Sequence, residues 1–144
     1  MSKVRFAATL AFCVLLTPAL AQSLVEREAR AEVEKSLAGK VGFYTTKYCK
    51  VNIPAKIDWS TFSSDERGLA DYCAVALFTI SRICEDSEDG MKSVQNKVKS
   101  VTCTRASPST LALENGEFVY GIDVSKGASY AVRDKIQKFL EEKL

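Results

Sequence analysis

The chain has 144 residues, 20 of them basic and 18 acidic, with five cysteines and no histidine. That length suits one domain with its own core and leaves little room for two. Lacking histidine, the chain loses the commonest general base and metal ligand, and with them the Ser-His and Cys-His nucleophile pairs.

The first residues, MSKVRFAATLAFCVLLTPALAQS, combine Lys3 and Arg5 with an uncharged apolar run over 6–16. Ala19 and Ala21 then place small residues at −3 and −1 of a signal-peptidase site. The expectation is a signal peptide over 1–21, cleaved after Ala21, with a single globular domain over 22–144. The apolar run is shorter than the roughly 20 residues a spanning helix needs, so no transmembrane anchor is expected after cleavage. The location read from this is periplasmic or secreted. The mature part carries 18 residues of each sign. A neutral domain offers no electrostatic footprint for nucleic acid, and no nucleic-acid partner is expected.

LVEREARAEVEKSLA, residues 24–38, places Val25, Ala29, Val33 and Leu37 at every fourth position, the pattern of an amphipathic helix. Residues 41–49 are ambiguous. Val41, Tyr44 and Tyr48 continue the helical stripe, while Gly42 and two threonines favour a turn and extended chain. VNIPAKIDW, residues 51–59, alternates apolar and polar with period two and reads as a half-buried strand, which Pro54 pushes toward a sheet edge. A capping pattern over 63–66 opens a long central helix reaching about Cys84, apolar over most of its circumference and so expected in the middle of the fold. Met91, Val94 and Val98 suggest a short helix, followed by a strand over about 99–105. LALENGEFVYGIDV carries Asn115-Gly116 between alternating runs, the chemistry of a type I′ hairpin. That turn sets Leu113 opposite Phe118 and Leu111 opposite Tyr120. A last helix starts near Ser129. The expected fold is α+β, a mostly antiparallel sheet of about four strands packed against helices, with the long helix central and two disulfides.

The disulfides use Cys49, Cys73, Cys84 and Cys103, an even count in an exported chain. Their spacings of 24, 11 and 19 do not suit zinc, and no metal or cofactor is expected. Cys73 and Cys84 share one helix and lie about 16 Å apart along it, beyond the roughly 7 Å a disulfide can bridge. Two pairings remain. Cys49–Cys73 with Cys84–Cys103 is expected, because each joins a strand end to the nearest part of the helix. Cys49–Cys84 with Cys73–Cys103 is the alternative.

The acidic stretch after Cys84 imitates a calcium loop with Glu85, Ser87 and Asp89 at positions one, three and five. Asn96 stands where the bidentate glutamate belongs, so a solvated turn before a helix is the better reading. FYTTKYCK interleaves Phe43, Tyr44 and Tyr48 with Lys47, and these four residues form the expected binding surface. The competing reading packs the aromatics inward with the lysines snorkelling out. No catalytic residue is named. The expected function is a small non-enzymatic exported domain that binds an envelope or secreted protein, as an inhibitor, an immunity-like protein or an accessory factor. The alternatives are an enzyme using a Ser-Lys pair (Ser125-Lys126, or Ser93 with Lys92) or a carboxylate site, and a carrier of apolar ligands. A deep pocket with perturbed polar groups would favour the enzyme, and a convex surface or shallow groove with Tyr44 or Tyr48 exposed as an apolar patch the binding domain.

Overall fold

The computed structural model describes residues 24–63 and 68–144. The expected signal peptide with Ala19 and Ala21, and residues 64–66 of the capping pattern, lie outside the described residues.

Helix α1 (Leu24–Val41) passes without a break into a π-helical segment, Gly42–Cys49. Strand β1 (Ala55–Ile57) follows, then α2 (Leu69–Asp86), α3 (Glu88–Lys97), β2 (Ser100–Arg105), β3 (Thr110–Glu114), β4 (Glu117–Ile122) and α4 (Tyr130–Lys143). The strands form one sheet in the order β1-β2-β4-β3. β1, β2 and β4 run parallel, and β3 alone is antiparallel to its neighbour β4. The fold is therefore α+β as expected, but its sheet is mixed rather than mostly antiparallel. The reason is the crossover. β1 and β2 are joined through two helices, which return the chain to the same end of the sheet, and such connections give parallel neighbours. β4 then inserts between β2 and β3, so only the hairpin is antiparallel.

Side-chain alternation on these strands builds the core. The register aligns Ala55, Val101, Phe118 and Leu113 in one inward row and Ile57, Cys103, Tyr120 and Leu111 in the next. Both cross-strand pairs expected from the Asn-Gly turn are present, with Asn115 at φ 51° and Gly116 at φ 83°. β1 is shorter than its alternating sequence suggests. Pro54 contributes only its carbonyl, which accepts from the Val101 amide at 2.9 Å, and β1 lies at the sheet edge as the proline requires. Gly121 is needed for space, because a Cβ there would lie 2.1 Å from Thr110 Oγ1.

α2, of 18 residues, is the central helix. Leu69, Cys73, Ala76, Leu77, Ile80, Ile83 and Cys84 are all buried, as their spacing implies. α2 packs on β2 and β4 and has α1 and α4 on its flanks. Chain direction is visible in its contacts with α1. Lys40 pairs with Asp71 at 2.8 Å, the Tyr44 ring meets Phe78 edge-on at 5.8 Å, and Cys49 bonds to Cys84. Rising numbers meet rising numbers, so α1 and the π-helical segment run parallel to α2, with β1 carrying the chain back between them.

That direction corrects the expected disulfides. The pairs are Cys49–Cys84 and Cys73–Cys103, not Cys49–Cys73 and Cys84–Cys103. The end of the π-helical segment lies beside the end of α2, and β2, running opposite to α2, brings Cys103 to the start of that helix. Among the described residues no helix is long and apolar enough to cross a membrane.

Candidate binding face

The ambiguous segment 42–49 is helical but wound wider than an α-helix, a geometry that is rare and recurs at functional sites. Val41, Thr45 and Cys49, four residues apart, turn inward and are buried, which leaves Phe43, Tyr44, Lys47 and Tyr48 on the outer side. The Thr45 hydroxyl donates to the Val41 carbonyl at 3.0 Å and accepts from the Ile53 amide at 3.2 Å. The end of the segment is held by the Cys49–Cys84 bond and by Gln95 Nε2, which donates to the Cys49 carbonyl at 2.8 Å. Lys50 closes it at φ 57°, a left-handed conformation that costs a non-glycine residue about 1 kcal/mol.

The four predicted residues come together as one cluster. Phe43 meets Tyr44 and Tyr48 edge-on at 5.1 and 5.9 Å, and Lys47 Nζ lies 4.9 Å from both the Phe43 and Tyr48 rings. Phe43 is 51% exposed. Tyr44 and Tyr48 are half-buried, with Tyr44 packed against the core, and Lys47 is exposed.

Three further residues, unmarked by the sequence reading, extend the cluster across α2. Tyr44 packs on Phe78, Arg133 lies over Phe78 at 5.4 Å, and the same guanidinium stacks on Tyr130 at 3.7 Å. Tyr130 is 77% exposed. Between these side chains runs an open groove of about 310 Å³, with Ala74 and Val75 on its floor, Tyr44 and Phe78 along it, and Lys40 and Arg133 at its sides. Lys40 is paired with Asp71. Among the described residues Arg133 has no acid partner, and its Nε is shut off from solvent without a hydrogen bond. It stands at the fourth position of α4, whose first turn contains no acid, so the helix dipole opposes rather than supports it.

Several of the other polar residues considered from sequence are engaged locally. Ser87 caps α3, accepting from the Gly90 amide at 2.9 Å, while Glu85 pairs with Arg82 at 3.2 Å and Glu88 with Lys92 at 2.7 Å. The acidic stretch is thus a helix start. Ser125 Oγ donates to Asp123 Oδ1 at 2.6 Å. That bond is the main reason the Asp123 carboxyl sits below its ordinary pKa, and Ser60 does the same for Asp58. Both aspartates end parallel strands, where α/β sheets often bind ligands, yet each carboxylate is spent closing its own turn. Glu117 is lowered chiefly by the Thr102 hydroxyl, with Lys56 at 3.5 Å, on the sheet face turned away from the helices.

A scan of protein-family models found none that matches the chain, and comparisons with curated proteins and with solved structures found no match.

Proposed function

We propose that this chain is an exported, non-enzymatic domain that binds an envelope or secreted protein through the aromatic and cationic face formed by the π-helical segment, α2 and the start of α4. The observation that carries this reading is the continuous row Tyr48, Lys47, Phe43, Tyr44, Phe78, Arg133 and Tyr130, in which Phe43 and Tyr130 are exposed rings and Tyr44 and Tyr48 are half-buried. Aromatic residues and arginine dominate the energetics of protein interfaces, and exposing them contiguously costs solubility without stabilising a core. The groove is open, and the groups with shifted protonation lie elsewhere, on the sheet and its loops. Two disulfides and the signal-peptide reading of residues 1–21 support an oxidising location, the periplasm or the exterior.

The test is capture of partners from envelope extract by the immobilised mature domain. The double variant Phe43→Ala/Tyr130→Ala should lose a specific partner by more than tenfold, while Lys56→Ala, on the opposite face of the sheet, should retain it. Equal capture by all three proteins, or none by the unaltered domain, overturns the reading.

A further inference from the structure

We infer that Arg133 is a carboxylate subsite, and that the groove seats an acidic side chain of the bound protein next to an apolar or aromatic one. The inference rests on the binding role proposed above and names the chemistry of the ligand.

Three observations lead there. First, the guanidinium carbon lies 3.7 Å from the Tyr130 ring centroid and 5.4 Å from that of Phe78, so its close neighbours are rings, and a guanidinium carries its N–H donors in its own plane, the arrangement from which a carboxylate accepts a two-bond fork. Second, no described residue uses those donors. Nε is enclosed without a partner, so the terminal Nη groups are the ones that meet a ligand, and among the described residues no ion pair reaches Arg133, whereas Lys40 across the groove is already neutralised by Asp71. Third, among the described residues the groove is lined by Lys40 and Arg133 with Asp71 as its one acid, and Lys47 lies on the adjoining Phe43 ring, an excess of positive charge on a mature chain with equal numbers of each sign. Charge complementarity therefore selects an acidic partner. The apolar floor at Ala74 and Val75, with the Phe78 ring, takes the neighbouring side chain, and the space of about 310 Å³ suits a few side chains rather than a long segment.

Two blocked peptides, Ac-Leu-Glu-Phe-Ala-NH2 and its Gln isostere, separate charge from shape, with Ac-Leu-Ala-Phe-OH testing a terminal carboxylate. Binding is followed on 15N-labelled mature protein through the Arg133 Nε–H signal. The glutamyl peptide should shift that signal at millimolar concentration, and the glutamine peptide should bind at least tenfold more weakly. Raising the salt concentration should narrow the difference. Arg133→Gln should abolish the preference, and Arg133→Lys, which keeps the charge but not the fork, should restore only part of it. Equal binding of the Glu and Gln peptides overturns the inference, as does an unshifted Arg133 with all three at 10 mM. Stronger binding of the terminal carboxylate also counts against it, because the subsite would then read chain ends. If Arg133 shifts with protein concentration alone, the occupant is a second copy and the acidic partner is ruled out. The two readings fail separately. Capture that depends on Phe43 and Tyr130 but not on Arg133 leaves the binding role standing without this subsite.

Discussion

The two disulfides close rings of nearly equal span, 35 residues for Cys49–Cys84 and 30 for Cys73–Cys103, yet they fasten different things. Cys73–Cys103 ties the start of α2 to the middle of β2, inside the core and on the register row that holds Ile57 and Tyr120. Cys49–Cys84 ties the end of α2 to the end of the π-helical segment, just beneath the exposed aromatics. One bond secures the sheet under the helices; the other holds the binding face against its supporting helix. Chain-entropy arguments see only ring length and so make them equal, at about 4 kcal/mol each. What each bond positions must be read from what lies next to it.

Removing them one at a time gives the largest expected effect. Cys73→Ala/Cys103→Ala and Cys49→Ala/Cys84→Ala should each lose about 4 kcal/mol in urea denaturation. Amide hydrogen exchange should then tell them apart. Without Cys49–Cys84, exchange should quicken over residues 42–50 while β2 and β4 stay protected; without Cys73–Cys103, protection in β2 and β4 should fall more. Identical exchange maps for the two variants would mean that the bonds are interchangeable staples.

The sheet side of this comparison was only partly legible in the sequence, and the helix side less so. The Asn115-Gly116 hairpin could be read to the residue because its turn chemistry fixes register locally. Strand direction could not be read that way, although the order strand, two helices, strand already carries the crossover rule that makes β1 and β2 parallel. The disulfide choice failed for the same reason. Spacing identifies which cysteines share a helix, but only relative chain direction decides which ends meet. On the helix side, Phe43, Tyr44, Lys47 and Tyr48 were visible as aromatics mixed with cations. The backbone beneath them was not, since Gly42 and the threonines are poor helix formers and the stabilising contacts, Thr45 to Ile53 and Gln95 to Cys49, come from distant residues. Phe78 falls beside the apolar stripe of α2, so its spacing alone does not set it apart from core residues. For Arg133 the available signal was an arginine in the first turn of a helix that has no acid in that turn.

A smaller, pH-dependent effect belongs to the sheet side alone. Tyr120 lies in register with Cys103 and is 1% exposed. Burial first, and then the negative charge of Asp123, push its pKa up from 10.0 to about 12. Below pH 10 the hydroxyl is protonated in both folded and unfolded chains, and its contribution is complete. Between pH 10 and 12 the unfolded chain releases the proton first, so stability should fall, by at most about 1.4 kcal/mol per pH unit from this group. In urea denaturation across that window Tyr120→Phe should show a shallower decline than the unaltered protein. Equal slopes would remove Tyr120 from the account of why the sheet side loosens in alkali.

The smallest expected change in stability is at Arg133, and it separates holding from binding most sharply. A residue kept for the fold should cost stability when replaced, whereas Arg133 sits against the helix dipole and, among the described residues, makes no hydrogen bond or ion pair. Its replacement by glutamine removes an unfavourable interaction with the dipole, worth a few tenths of a kcal/mol, and gives up cation–π contacts of similar size with Phe78 and the exposed Tyr130. The two nearly cancel, so Arg133→Gln should unfold within about 0.5 kcal/mol of the unaltered protein. A loss above about 2 kcal/mol would make the guanidinium a strut between α4 and α2. An unchanged fold would leave the arginine without a structural reason to be there, the condition expected of a side chain that serves the binding face rather than the core.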